Sequence, residues 1–264
     1  MSFKQETVSV RNGMFNVSLR RGGIGEPLVY LHGAGGQSEW EPFLEMLSQD
    51  FDVIVPNGPG WPGSDGLEHL DDVIDMALFY QDLFDALALS SVNLVGASLG
   101  GMFAAEIAAL GSSYVKKLVL CEPAGLWLDA HQPLDFFVAP PDELQRALFY
   151  DVEAAAARRT GPNPEDKEAM MRANLDRQMA MAATSKFVWP IPDKGLKRRI
   201  HRIKAPTLIV WGEHDGLIPP VYGTEFQRLI PGSRLAVIAD TAHVPMTERP
   251  EEFVRIVSRF LKGG

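Results

Sequence analysis

A serine flanked by glycines is the first feature of this sequence that could perform chemistry. The stretch Gly96-Ala97-Ser98-Leu99-Gly100 lies between the apolar run VNLVG and the helix-forming run LGGMFAAEIAAL. Glycines two residues to either side would permit a sharp strand-to-helix turn that exposes the Ser98 hydroxyl. The alternative is an ordinary tight turn that contains a serine. Because a serine hydroxyl alone is a weak nucleophile, the chemical interpretation requires a base and an acid elsewhere in the chain.

Candidates for both partners occur further along, each just after a predicted strand. Asp215 follows PTLIVWG, and His243 follows RLAVIA. A histidine can take the serine proton as a general base, and a carboxylate can orient that histidine. Taken singly, Asp215 could form a turn and His243 could be a core histidine, but together with Ser98 they predict a triad. Glu122, which follows VKKLVLC, is an alternative acid.

An alternation of buried strands and helices would bring these residues together. Six apolar runs predict strands at 27–32, 52–56, 92–96, 115–121, 206–212 and 234–239, and helices are predicted at about 39–48, 71–88, 99–110, 219–230 and 249–261. Alternating residues on both sides of Asn12-Gly13 predict an opening hairpin. The pattern predicts an α/β fold with a mostly parallel central sheet, flanked by helices, whose ligands bind beyond the carboxyl ends of the strands.

One long stretch without a strand interrupts this alternation and predicts an inserted helical lid. We therefore divide the chain into a first core part (1–124), a helical lid insertion (125–204) and a second core part (205–264). Within the insertion the sequence predicts one helix over 141–159 and a second over 163–183. Asn163 is the predicted cap of the second helix, with Pro164 at its first position.

Five ordered motifs resemble those of the α/β-hydrolase fold superfamily, in particular its lid-bearing serine hydrolases. They are LHGAGG, PNGPGWPGSD, VGASLGG, PTLIVWGEHDGLIPP and AHVPMTERPEEF, and the resemblance spans nearly the whole chain. It implies a nucleophile elbow at Ser98 and an oxyanion hole made by the backbone N–H groups of Ala34 and Leu99. The family usually has glycine where this chain has Ala242, directly before the histidine.

Serine at the elbow favours acyl transfer through an acyl-enzyme over the chemistry of relatives that carry aspartate there. The expected function is hydrolysis of a medium-sized, largely apolar carboxylic ester. A carbon–carbon bond hydrolase of meta-cleavage type, or a lactonase, with the same triad is the alternative. The carbon–carbon subgroup tends to have Asn before the serine and Trp after the histidine, whereas Ala97 and Val244 stand here. A small-molecule binding protein on a hydrolase fold is an alternative of another class.

Aromatic side chains near the expected cavity are candidate pocket residues. They are Trp40, Trp127, Phe137 and Trp189, together with Val244 after the histidine. Arg172 or Arg177 on the second lid helix could meet a substrate carboxylate, although such arginines are more often solvated.

Composition narrows the range of partners. The net charge of −9 and the absence of a basic run argue against nucleic acid and anionic membranes as partners. The single cysteine excludes an internal disulfide, and no metal-ligand or nucleotide-binding pattern is visible, so no cofactor is expected. With no signal-peptide or membrane-span pattern, the expectation is a cytoplasmic enzyme with a small-molecule substrate. The sequence leaves the oligomeric state open.

Overall fold

The computed structural model describes residues 3–37, 39–158, 162–191 and 193–263. In that part of the chain, one sheet of eight strands has the order β1-β2-β4-β3-β5-β6-β7-β8. Its strands are β1 Lys4–Val10, β2 Phe15–Gly22, β3 Glu26–Leu31, β4 Phe51–Pro56, β5 Val92–Ala97, β6 Val115–Cys121, β7 Thr207–Gly212 and β8 Arg234–Ile238. Only β2 runs antiparallel to its neighbours, and the other pairs are parallel. The predicted fold class is confirmed.

The opening hairpin forms where the sequence predicted it. β1 and β2 pair in antiparallel register from Lys4↔Arg21 to Val10↔Phe15. The turn between them places Arg11, Asn12 and Gly13 at φ values of 50°, 56° and 92°. Asparagine and glycine tolerate this left-handed conformation better than other residues, which explains why the chain reverses here.

Helices cover both faces of the sheet. They are α1 Pro42–Leu47, α2 Val73–Ala86, α3 Leu99–Leu110, α4 Pro141–Leu148, α5 Val152–Arg158, α6 Lys167–Val188, α7 Val221–Leu229, α8 Pro245–Glu248 and α9 Pro250–Leu261. The apolar residues of α2, α3 and α7 pack in one buried cluster, and those of α1, α8 and α9 pack in a second. None of these helices in the described part of the chain is long and apolar enough to cross a bilayer.

The segment between β6 and β7 carries α4, α5 and α6, and its details differ from the prediction. The helix predicted over 141–159 is two helices, because the backbone becomes extended at Phe149 and Asp151 then accepts a hydrogen bond from the Ala154 N–H. The last predicted residue, Arg159, lies outside the described residues. The apolar residues of 141–158 follow one continuous helical pattern, so the sequence did not predict the interruption between α4 and α5.

The start of α6 also differs from the prediction. Asp166, rather than Asn163, caps the helix, because its Oδ1 accepts a hydrogen bond from the Ala169 N–H at 3.0 Å. Asn163 Oδ1 instead accepts from the Glu165 N–H at 3.1 Å and forms a turn before the helix. Asparagine favours such local turns as strongly as it favours helix caps, so its position alone did not distinguish the two.

The second half of α6 fastens the inserted segment to the core. Ala180, Ala183 and Phe187 are buried in the cluster that also holds α2 and α3. Further along, Arg199 pairs through two nitrogens with the Glu106 carboxylate on α3, at 2.7 and 2.6 Å. Glu106 is fully buried, so this pair ties the end of the segment to the core below it.

Candidate active site

Ser98 occupies a strained turn between β5 and α3. Its backbone lies at φ 53° and ψ −114°, a conformation that few non-glycine residues adopt. A Cβ atom on Gly96 would lie 2.3 Å from the Gly100 carbonyl oxygen, and one on Gly100 would lie 2.2 Å from the Leu31 carbonyl oxygen. Both glycines are therefore required by the close approach of backbone, and the turn exposes the Ser98 side chain to a cavity.

Ser98, His243 and Asp215 form a continuous hydrogen-bonded relay. The Ser98 Oγ lies 2.9 Å from His243 Nε2, and His243 Nδ1 lies 2.9 Å from Asp215 Oδ2. The other carboxylate oxygen of Asp215 accepts hydrogen bonds from the N–H groups of Leu217 and Ile218, both at 2.9 Å. An ionised Asp215 would hold Nδ1 protonated, which leaves Nε2 free to take the proton of the Ser98 hydroxyl.

The loop before His243 is held from two sides and accommodates alanine in place of the usual glycine. The Ala242 N–H donates to Glu248 Oε2 at 2.7 Å, and the His243 N–H donates to the Leu148 carbonyl at 3.1 Å. The left-handed residue of this loop is Asp240, at φ 51°, and not Ala242. Alanine at 242 therefore introduces no backbone strain.

Glu122 lies beside the relay but does not bind His243. Its Oε1 accepts a hydrogen bond from the Gly212 N–H at 2.7 Å, and its Oε2 has no hydrogen-bond partner among the described residues. Burial, reinforced by the nearby Asp215 carboxylate, raises the pKa of Glu122 well above its usual value. Because His243 Nδ1 is hydrogen-bonded to Asp215 and not to Glu122, the geometry favours Asp215 as the orienting acid.

The same three residues form the one grouping of possible metal ligands within the described residues. Ligand atoms of Glu122, Asp215 and His243 lie within 4.8 Å of one another. His243 and Asp215 are already hydrogen-bonded to each other, and burial raises the pKa of Glu122, which disfavours its ionised form. A metal ion needs ligands that are deprotonated and free to bind it. These three residues fit a cation poorly, because His243 and Asp215 already bind each other.

The loop that follows β3 and the first turn of α3 each bring one backbone N–H group beside Ser98. A Cβ atom on Gly33 would lie 3.5 Å from the Ser98 Cβ, so the loop runs directly past the serine. Ala34 and Leu99 both line the cavity in front of Ser98. The Leu99 N–H is in the first turn of α3, where no intrahelical acceptor exists, and the Ala34 N–H makes no hydrogen bond to another described residue.

His32 braces this loop as a neutral side chain. Its Nδ1–H donates to the Gly33 carbonyl at 2.8 Å, and its Nε2 accepts from the Gly58 N–H at 3.2 Å. This tautomer is assigned from the Gly58 N–H, which can only donate and therefore requires an unprotonated Nε2. Burial lowers the pKa of His32 to about 4, so the ring is uncharged at neutral pH.

The Ala34 carbonyl is held by two further donors. Trp61 Nε1–H and Thr184 Oγ1–H both donate to it at 3.0 Å. Trp61 is fully buried and does not line the cavity. Thr184 belongs to α6, so the inserted segment contacts the loop beside Ser98 directly. A threonine in a helix carries no sequence signal for this contact.

Ser98 and His243 face a cavity of about 750 Å³. Its lining is apolar over most of its area and comes largely from the inserted segment: Leu126, Leu134, Phe136, Leu144, Met181 and Val188. Of the predicted pocket residues, Phe137 and Val244 line it. Arg177 also lines it, whereas Arg172 does not.

Three predicted pocket residues lie outside this lining. Trp40 stacks on Phe3 and donates its indole N–H to Glu45 Oε2. Trp127 donates its own to Asp129, and Trp189 is half exposed with its ring edge-on to Phe137. The sequence correctly placed aromatic residues near the cavity. It did not predict that the indole N–H groups of Trp40 and Trp127 would bind Glu45 and Asp129 outside the lining.

Outside the segment between β6 and β7, four polar residues of the lining were not predicted from the sequence. They are Tyr30, Gln37, Glu41 and Thr247. Tyr30 offered one signal, because it carries the only hydroxyl in the strand that leads into His32 and Gly33. The other three lie in the loop after β3, just before α1, and on α8, where polar residues are ordinary.

Comparison with known proteins shows which family this chain belongs to. The profile of the α/β hydrolase fold family matches residues 26–250. The chain is 30% identical to 2-hydroxy-6-oxononadienedioate/2-hydroxy-6-oxononatrienedioate hydrolase 2 of Pseudomonas putida, over 96% of this chain and 94% of the relative. It is 29% identical to pimeloyl-[acyl-carrier protein] methyl ester esterase of Photobacterium profundum, over 91% and 96%. The crystal structure of a membrane phospholipase A, described as a bacterial virulence factor, is 24% identical with a TM-score of 0.82, covering 99% of this chain and 86% of that one.

Proposed function

Because the chain belongs to the α/β-hydrolase fold family, we propose that it is a serine hydrolase of medium-sized, largely apolar carboxylic esters. The observation that carries this proposal is the relay from Ser98 Oγ to His243 to Asp215, with both links at 2.9 Å, at the end of an apolar cavity. Such a relay converts a weakly nucleophilic hydroxyl into one that attacks a carbonyl carbon.

The proposed reaction has two halves. Ser98 Oγ attacks the ester carbonyl while His243 takes its proton, and the N–H groups of Ala34 and Leu99 stabilise the oxyanion. His243 then gives the proton to the leaving alcohol, and an acyl-enzyme remains. A water activated by His243 cleaves that intermediate, which releases the acid and restores Ser98.

The apolar lining supports an apolar acyl group, and the origin of that lining supports a role for residues 125–204 as a lid. Burial of methylene groups against Leu126, Leu134 and Met181 would contribute about 0.8 kcal/mol each. A sugar or nucleotide would leave its polar groups without partners against this surface. We expect acyl chains of intermediate length to be the best substrates.

A carbon–carbon bond hydrolase is the second candidate. It is favoured by the relative in Pseudomonas putida, whose name describes the hydrolysis of a dienedioate. The relay would serve equally well for that reaction, since it also requires an activated serine or water at a carbonyl carbon. The residues Ala97 and Val244, which differ from that subgroup, favour the ester.

The test is hydrolysis of p-nitrophenyl esters, from acetyl to long acyl chains, by the wild type and by Ser98→Ala. We expect the substitution to lower kcat/KM by about 10⁴-fold or more while the protein stays folded. Ser91→Ala, at the exposed opposite end of β5, is the matched control and should keep full activity.

Ester turnover that survives Ser98→Ala would refute the mechanism. Wild-type protein that is inactive on every ester but cleaves a vinylogous diketo acid would favour the second candidate. Tight ligand binding without turnover would indicate a binding protein.

A further inference from the structure

The cavity wall outside the segment between β6 and β7 includes a group of polar residues. It comprises Tyr30, Gln37, Glu41 and Thr247, and we refer to these residues as the polar wall. Gln37 Nε2 donates to Glu41 Oε1 at 3.0 Å, and Thr247 Oγ1 donates to Glu41 Oε2 at 2.9 Å. The Glu41 carboxylate is thus fixed at the cavity surface by two donors. Each of its oxygens keeps a lone pair for another hydrogen bond.

Tyr30 adds an unused donor to this patch. The side chain is only 4% exposed, and its ring packs edge-on against Phe43 at 5.2 Å between centroids. Its hydroxyl makes no hydrogen bond to any residue that the structure describes. Burial, reinforced by the Glu41 carboxylate, raises the pKa of Tyr30. Buried hydroxyl groups in proteins normally have a partner. A ligand group that fills this part of the cavity would supply one.

The polar wall adjoins the residues that would handle the leaving alcohol. Thr247 follows His243 by four residues, and Gln37 follows Ala34 by three. In the proposed reaction His243 delivers its proton to the oxygen of the departing alcohol. An ester bound with its alcohol part against the polar wall would place its acyl part against the apolar lining from the segment between β6 and β7.

From this arrangement we propose that the enzyme selects esters whose alcohol part carries a free hydroxyl group, such as monoesters of diols. The inference rests on the proposed ester hydrolysis. The substrate hydroxyl accepts a hydrogen bond from Tyr30 Oη–H and donates one to the Glu41 carboxylate. A purely apolar alcohol would leave the Tyr30 hydroxyl without a partner and would exclude water from the Glu41 carboxylate. A hydrogen-bonding site rejects an analogue that lacks the matching group on this basis. An anionic alcohol part would be repelled by Glu41.

Two esters of nearly equal size test the proposal: 2-hydroxyethyl hexanoate and propyl hexanoate. We expect the wild type to prefer the hydroxyethyl ester by about tenfold in kcat/KM, mainly through KM, which is the effect of one or two such hydrogen bonds. Tyr30→Phe should remove most of that preference, mainly through a higher KM for the hydroxyethyl ester. Tyr80→Phe is the matched control, because Tyr80 is equally buried but lies outside the cavity lining.

Each outcome of this experiment decides something. An equal rate on both esters, or a preference that Tyr30→Phe leaves intact, would overturn the inference while ester hydrolysis stands. Failure of Ser98-dependent turnover on both esters would overturn the proposed function and the inference with it. A stronger preference for a 2-aminoethyl ester that Glu41→Gln abolishes and Tyr30→Phe does not would identify a site for a cation, and would also overturn the proposal. Thermal unfolding of each variant separates these effects from loss of the fold.

Discussion

Glu122 and Asp215 place two carboxyl groups side by side at the ends of neighbouring strands, but only Asp215 is bonded to His243. Asp215 has a donor on each oxygen, including the His243 ring. Glu122 has a single donor, the Gly212 N–H. Burial and the neighbouring Asp215 carboxylate raise the pKa of Glu122, so two carboxyl groups within 4.8 Å of one another have different surroundings.

This difference predicts a large loss of activity for one amide substitution and little change for the other. Asp215→Asn should lower kcat by about 10³- to 10⁴-fold, because the amide no longer holds the productive tautomer of His243. Glu122→Gln resembles the neutral acid in shape and should change kcat by less than about threefold. Kinetics on the best p-nitrophenyl ester measure both. A large loss in Glu122→Gln with little loss in Asp215→Asn would reverse the assignment.

The buried neutral His32 predicts a loss of stability in mild acid. Its pKa falls from 6.5 to about 4 on folding, so the unfolded chain binds more protons between these values. Its contribution is fully present above pH 6.5 and is lost as the pH falls towards 4. The full shift corresponds to about 3 kcal/mol, and about 2 kcal/mol of it is gone at pH 5.

Urea unfolding at pH 7.5 and at pH 5 tests this dependence. We expect His32→Gln to be less stable than the wild type at pH 7.5 but to lose about 2 kcal/mol less on going to pH 5. His214→Gln changes an exposed histidine and should leave the pH dependence unchanged. The same pH dependence in His32→Gln and wild type would show that His32 is not the group responsible.

The pair between Arg199 and Glu106 predicts a strong dependence of stability on one arginine. Arg199→Met would leave a fully buried carboxylate without its partner, which typically costs about 3–5 kcal/mol. Arg146→Met breaks an exposed pair with Asp142 and should cost less than about 1 kcal/mol. Denaturant midpoints of the two variants provide the comparison. Equally small losses of stability in the two variants would mean that Glu106 binds another partner or becomes protonated.

The hydrogen bond from Thr184 to the Ala34 carbonyl predicts an effect of α6 on catalysis. Thr184→Val keeps the shape of the side chain and removes this bond, while Trp61 still donates to the carbonyl. We expect kcat to fall by about three- to tenfold, with a smaller change in KM and a stability loss of about 1 kcal/mol. Ser185→Ala is the matched control, because its hydroxyl bonds only to Ala182 within the helix. An unchanged kcat in Thr184→Val would show that the loop does not need this support.

The sequence was most informative where one local rule decided the structure. Short apolar runs predicted the parallel strands, Asn12-Gly13 predicted the hairpin, and residues just past strand ends predicted that Ser98, Asp215 and His243 would meet. It was least informative about side-chain direction. Trp40 and Trp127 are polar at one end, so each turned towards a nearby acceptor, Glu45 or Asp129, and away from the cavity. The contact between Thr184 and Ala34 joins residues 150 positions apart, and no local pattern encodes it.

If α6 is part of the proposed lid, its hydrogen bond to the loop beside Ser98 would couple access to the cavity with reactivity at Ser98. If α6 moved away to admit a substrate, the Thr184 hydroxyl would leave the Ala34 carbonyl, and the peptide next to the proposed oxyanion hole would lose a support. The enzyme would therefore be less active while the cavity is open. Full activity would return only when α6 again covers the cavity and Thr184 again donates to the Ala34 carbonyl. A single hydroxyl would in this way make the enzyme selective for substrates that fit beneath the closed helix, before any group of the substrate is recognised.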